Sequence, residues 1–296
     1  MIEKEVILPN GIKLHVRDNE AENKPAVLFL HFSGGTSAIW NGVLPYFTEQ
    51  FRVIAPDLRG HGKSDKHSIG YHIDDKANDM YELLKRLGIS ECHVVGSSLG
   101  AEVGVSLAAA HPEIVMSLVC EGALYNELGE YGLFNGSKAE IEEEKQKRVQ
   151  QFLQREVPVY DTAEQYLEEN SAPFIEENLW NEHFAAYIKS TLAKTADGRY
   201  TSHYSNDVFI DFITKHFDYA FEAYYKKVRC PVLFMPSEAE LADEKIVHCM
   251  NAFAALVDRC DIKELEGSLH AYVWMQMPDE ASQAVLKFFQ GVHVNK

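Results

Sequence analysis

The chain has 296 residues, 46% of them hydrophobic, enough to bury the core of one large α/β domain or of a core domain carrying an insertion. Its 45 acidic residues against 28 Lys and Arg leave a formal charge of -17, which repels phosphate backbones and anionic lipid surfaces, so neither nucleic acid nor membrane is an expected partner. The start, Met1-Ile2-Glu3-Lys4-Glu5-Val6, has no basic segment leading into an apolar core, and no apolar run approaches the roughly 18 residues of a membrane span; a soluble, cytoplasmic protein is expected.

At the N-terminus, two alternating runs ending at Leu8 and beginning at Ile12 flank Pro9-Asn10-Gly11. An Asn-Gly in that position predicts a hairpin turn, so the chain begins antiparallel. Short apolar runs follow at residues 26–31, 52–55, 92–95 and 114–120. Between them lie helix-period segments such as Ala77, Met80, Leu83, Leu84 and Leu87, and this alternation predicts a parallel sheet. Gly88 is placed to end that helix, and Asp74 or Asp75 to cap its start. From residue 125 to 227 the pattern changes to long polar helical segments interleaved with aromatics. Strand-like runs then resume at 231–235 and 260–265, before an amphipathic helix at 281–289. The organisation predicted is one core, residues 1–124 and 228–296, interrupted once by a helical cap, residues 125–227. The scattered Cys92, Cys120, Cys230, Cys249 and Cys260 show no C-x-x-C spacing and read as buried free thiols.

Chemistry concentrates at Gly96-Ser97-Ser98-Leu99-Gly100, a G-x-S-x-G between a short apolar run and an alanine-rich helical pattern. A sharp strand-to-helix turn holds its central residue in a strained conformation, and the flanking glycines keep neighbouring side chains away. Ser98 is therefore the candidate nucleophile. Amide N–H groups and the positive end of the helix dipole converge there, where they favour an oxyanion. A serine hydroxyl needs a base, and the base needs a carboxylate. His270, in the loop after the last strand-like run and before the last helix, is the candidate base. His93 in a strand run, His111 before Pro112 and His248 in a helical segment fit structural or surface roles better. For the carboxylate, the loop at 236–243 offers Glu240, which we favour; Glu238, Asp243 and Glu121 remain open. The backbone N–H groups of Leu99 and of Ser33, in the loop His31-Phe32-Ser33-Gly34-Gly35-Thr36, are the candidate oxyanion donors, with His31 holding that loop. Residues 57–64 lack phosphate-loop spacing and read as a rigid turn. There is no H-E-x-x-H and no Cys/His pairing at ligand spacing, so no metal is predicted.

These segments together resemble the α/β-hydrolase superfamily, in its serine-nucleophile branch with a helical cap between the sixth and seventh core strands. Nucleophile, acid and base follow in that chain order, as Ser98, an acid near Glu240, and His270. The resemblance implies an eight-stranded, mostly parallel sheet flanked by helices and an active site under the cap. It also implies no cofactor. Two departures stand out: Phe32 follows His31 where the family commonly has Gly, and Glu240 stands where Asp is common. The serine disfavours haloalkane dehalogenase and epoxide hydrolase chemistry, for which relatives use aspartate. The expectation is a serine hydrolase, monomer or homodimer, acting on an ester or related carbonyl of a small to medium apolar molecule. The pocket would be lined by some of Phe152, Tyr160, Tyr166, Phe174, Trp180, Phe184, Tyr187, Phe209, Phe212 and Tyr224. C–C hydrolysis, thioester hydrolysis, cofactor-free haloperoxidase activity and small-molecule sensing with slow or no turnover are the alternatives.

Overall fold

The computed structural model describes residues 1–67 and 69–293. Strands β1 (Ile2–Ile7) and β2 (Lys13–Asp18) form the N-terminal hairpin, with Ile7 opposite Lys13 and Gly11 at φ +85° in the turn. The strands β3 (Ala26–Leu30) and β4 (Arg52–Pro56) are buried at every residue. Such continuous burial, apolar except for Arg52 paired with Asp18, is what a sheet covered on both faces demands. Next come α1 (Leu44–Thr48), α2 (Ile73–Arg86), β5 (Cys92–Ser97), α3 (Leu99–Ala110) and β6 (Val115–Glu121).

The stretch after β6 departs from the sheet. It carries β7 (Asn126–Leu128), β8 (Gly132–Phe134), α4 (Lys138–Leu153), β9 (Val159–Tyr160), α5 (Ala163–Glu176), α6 (Glu182–Thr191), β10 (Leu192–Lys194), β11 (Tyr200–Ser202), α7 (Asn206–His216) and α8 (Phe221–Tyr225). The small strands make two separate sheets, β7-β8 and β10-β11-β9. At two or three residues each, they give no alternation long enough to be read from sequence. The core then resumes with β12 (Val232–Phe234), α9 (Glu238–Ala242), α10 (Glu244–Ala254), β13 (Cys260–Ile262), α11 (Val273–Gln276) and α12 (Pro278–His293).

The main sheet runs β1-β2-β4-β3-β5-β6-β12-β13. Its β1-β2 and β2-β4 pairs are antiparallel and the rest parallel. From β3 the chain moves outward to β4, then crosses to the other side of β3 as β5. That reversal opens a crevice at the carboxyl ends of β3 and β5, the usual ligand position in an open α/β sheet. Two buried clusters cover the two faces, one around Met80, Leu107 and Phe253, the other around Trp40, Phe47 and Phe289. All five cysteines are free, four of them buried and Cys260 partly so.

One cap differs from expectation. The N-cap of α2 is His72, whose Nδ1 accepts from the Asp74 amide at 3.1 Å, while Gly88 follows the other end at φ +71°. Asp74 is drawn away from capping because its Oδ1 accepts from Ser106 Oγ at 2.6 Å and Tyr224 OH at 3.0 Å.

Candidate active site

The turn from β5 into α3 gives Ser98 φ 49° and ψ -116°, a sparsely populated conformation for a residue with a side chain. Both flanking glycines are required by contact. A Cβ on Gly96 would lie 2.4 Å from the Ala101 amide nitrogen, and one on Gly100 only 1.9 Å from the Leu30 carbonyl oxygen. The second approach seats the start of α3 directly against the end of β3, where the loop containing Ser33 begins. That loop is held from within: His31, fully buried, places Nδ1 2.8 Å from the Phe32 carbonyl and accepts from the Leu58 amide at 2.9 Å. Ser33 Oγ shares a 2.7 Å hydrogen bond with Tyr204 OH, tying the loop to the stretch after β6.

On the other side, the turn after β6 passes beneath the serine. The Ser98 amide donates to the Glu121 carbonyl. Gly122, at φ +115°, comes so close that a Cβ there would lie 2.7 Å from Ser98 Cα and 3.4 Å from His270 Cε1. The structure thus brings Ser98 and His270 together around Gly122.

The carboxylate facing His270 is Glu121. Its Oε1 lies 2.5 Å from His270 Nδ1, and its Oε2 accepts from Ser97 Oγ at 2.6 Å and from Trp274 Nε1 at 3.4 Å. Glu240 Oε1 stands 3.7 Å from the same Nδ1. The other Glu240 oxygen is engaged in the capping box of α9, accepting the Ser237 amide and hydroxyl at 2.8 Å each. Of the two, Glu121, with a side chain 2% exposed, stands nearer the imidazole than the favoured Glu240, one of whose oxygens is held at its own helix terminus. The other two acids are engaged elsewhere. Glu238 accepts the Gly267 amide at 2.8 Å, and Asp243 caps α10 through the Lys245 and Ile246 amides. Burial disfavours a charged His270, but the fields of Glu121, Glu240 and Glu102 outweigh it and raise its pKa to about 9.

A cavity of about 120 Å³ opens beside these groups. From the core it is lined by Ser98, Glu102, Gly122, Glu240 and His270; from the stretch after β6 it is lined by Tyr125, Glu127, His216 and Phe221. None of the ten aromatics, some of which were expected to line an apolar pocket, is among its lining residues. Several pack against one another, Phe174 against Phe184 and Phe152 against Phe209 for example, Trp180 is exposed, and the cavity wall is mostly polar instead. His216 was not singled out from the sequence; it lies in the last turn of α7, between Glu102 and Glu127 at 3.4 Å from each. Burial opposes its charge, but those two carboxylates raise its pKa to about 10.

The remaining candidates lie outside this cluster. His93 is buried with Nδ1 2.7 Å from Ser117 Oγ, His111 ends α3 stacked on Tyr81, and His248 is exposed on α10. Residues 57–64 form a hydrogen-bonded turn. Asp57 accepts the Ser37 and Lys63 amides and faces His15, and these contacts outweigh burial to hold its carboxyl far below the usual range. Among the described residues no group of His, Cys, Asp and Glu is arranged to hold a metal ion, and no helix is long and apolar enough to cross a membrane.

The chain belongs to the α/β-hydrolase family: the model of the alpha/beta hydrolase fold matches residues 25–226. Among curated proteins it is 39% identical over 108 residues to a 2-(acetamidomethylene)succinate hydrolase of Mesorhizobium japonicum, covering 36% of this chain and 38% of that protein. It is 38% identical over 96 residues to a putative carbamate hydrolase of Stutzerimonas stutzeri, covering 32% and 36%. It is also 42% identical over 103 residues, 35% of this chain and 30% of the other, to an uncharacterized protein of Mycobacterium tuberculosis. The matches thus span about a third of these relatives' length. Among solved structures, an E-2-(acetamidomethylene)succinate hydrolase aligns over 98% of this chain and 99% of its own, with TM-score 0.76 and 23% identity. At that identity the likeness concerns the fold.

Proposed function

We propose that this protein is a serine hydrolase that cleaves an ester or related acyl compound through an acyl-enzyme intermediate. The observation carrying this reading is the strained Ser98 at the start of α3, sharing a cavity with a His270 imidazole that faces a buried Glu121. Neutral His270 takes the hydroxyl proton as Ser98 Oγ bonds to the carbonyl carbon. The carbonyl π electrons move to oxygen, where the Leu99 and Ser33 amides receive the charge. Collapse of this intermediate breaks the bond to the leaving group, which departs with the proton from His270. Water then repeats the sequence, releasing the acid and restoring the serine. Glu121 orients the imidazole and stabilises its charged form; Glu240 adds to the field at longer range. No step requires a cofactor. Residues 125–227 act as the cap that closes the cavity, and the substrate is a small molecule.

Relatives of the chain include a haloalkane dehalogenase of Bradyrhizobium diazoefficiens, 32% identical over 108 residues. The serine at position 98 favours acyl transfer over that chemistry. Steady-state hydrolysis of p-nitrophenyl esters of increasing acyl length tests the reading, with Ser98→Ala and His270→Ala as controls. Turnover abolished by both changes is expected. Wild-type rates no better than either variant on every ester would overturn it.

A further inference from the structure

The cavity beside Ser98 holds a carboxylate for which the proposed acyl-transfer steps have no use. Glu102 lies four residues beyond Ser98 on α3, one helical turn away, and helical side chains lean toward the N-terminus, which here means toward the nucleophile. Glu102 is 6% exposed and its Oε2 has no hydrogen-bond partner. Its Oε1 has His216 Nδ1 at 3.4 Å, an ion-pair contact in which that nitrogen makes no aligned hydrogen bond. A buried carboxylate oxygen without a donor is destabilising, and a ligand donor at that point relieves it.

The surroundings fix the sign of the ligand. Three acids line the cavity, Glu102, Glu127 and Glu240, and Glu121 stands against His270; facing these four carboxylates are His216, His270 and Arg148, which pairs with Glu127 at 2.9 Å. His270 already faces Glu121, and His216 stands between two carboxylates. An anion entering here meets imidazoles whose charge is already matched. A cation meets a buried carboxylate oxygen that has no donor of its own. The raised pKa values of both histidines report the same negative field.

We propose that the cavity selects a small acyl compound carrying a protonated amine, with its ammonium N–H on Glu102 and its carbonyl at Ser98. This substrate class rests on the reading of Ser98 as the nucleophile. The amine belongs to either side of the scissile bond, and two esters distinguish the sides. Dimethylaminoethyl acetate carries it on the leaving group, ethyl dimethylaminobutyrate on the acyl group. Each is compared at neutral pH with its uncharged carbon isostere, isoamyl acetate for the first, and with the anionic monoethyl succinate.

At least one amine ester is expected to exceed its isostere by about tenfold or more in kcat/KM, the weight of about 1.4 kcal/mol, with the ratio falling toward unity in Glu102→Gln. Calorimetric binding of the same esters to Ser98→Ala gives a second readout that needs neither turnover nor a folded Glu102 variant. Amine-selective binding there without hydrolysis by the wild type would support the cation site at Glu102 while ending the nucleophile reading, and with it the substrate class. Ser98-dependent hydrolysis with no preference for the amine, or with preference for the anionic ester, would overturn the substrate class alone. Absence of both hydrolysis and amine-selective binding would overturn both.

Discussion

Replacing Glu121 by Gln isolates the role of the carboxylate that faces His270. The substitution keeps the side-chain shape, and the buried neighbours dictate how the amide sits. Ser97 Oγ and Trp274 Nε1 both donate to one oxygen of Glu121, so the amide oxygen must take that side. The NH₂ group then faces His270 Nδ1 from the position now 2.5 Å away. Facing a donor, Nδ1 must accept, which leaves the proton on Nε2 and removes the lone pair that would receive the Ser98 proton. A wrong tautomer of this kind is worth about 10⁴ in kcat where a carboxylate orients the base. Glu240→Gln should cost less than about tenfold, because that carboxylate is 3.7 Å away and contributes through its field. The assay is ester hydrolysis by each variant, with Tm measured in parallel to confirm folding. A Glu240→Gln loss equal to or larger than that of Glu121→Gln would refute the reasoning.

The free enzyme's pH profile should be shifted to alkaline values. The base must be neutral, and Glu121 and its neighbours hold His270 charged up to about pH 9, so kcat/KM should climb with pH and level off above it; a plateau already reached at neutral pH would count against that field. Gly122→Ala should lower kcat and Tm together, since its Cβ would meet Ser98 Cα at 2.7 Å from a backbone at φ +115°. A variant with unchanged kcat would show that the turn yields without moving the serine. Gly100→Ala should destabilise by at least the roughly 1–3 kcal/mol of ordinary overpacking, read from denaturant unfolding, because the obstacle at 1.9 Å is a strand carbonyl rather than a flexible side chain.

The fold was readable because its signals are short-range. Asn-Gly marks the hairpin, continuous apolar runs mark β3 to β6, and Gly88 marks the end of α2; each is a local preference of the backbone. Where a third element intervenes, local reading weakens. Asp74 is a good capping residue by type, yet Ser106 on α3 and Tyr224 on α8 claim its carboxylate, and the cap passes to His72. Among the two- and three-residue strands between β6 and β12, β9 has its partner β11 beyond α5 and α6, while β7-β8 and β10-β11 pair with near neighbours but are too short to show an alternation.

The site divides along the same line. Ser98 is encoded within five residues, and the constraint is backbone geometry that only Gly96 and Gly100 permit. The carboxylate that faces His270 is encoded across strands. Glu121 ends β6, and a glutamate ending an apolar run is uninformative until β6 is known to pair with β5 in the register that sets Ser97 opposite Glu121. That register delivers the carboxylate to the residue before Ser98, where the Ser97 hydroxyl and the Trp274 indole hold it and His270 arrives from a loop almost 150 positions later. The 236–243 loop is richer in acids and nearer the expected place in the chain, but its glutamates and Asp243 meet the needs of helix termini and a neighbouring loop amide first. The polar wall was hidden for a related reason: Glu102, Glu127 and His216 come from α3, β7 and α7, and only their convergence around one cavity makes a field that raises a histidine's pKa.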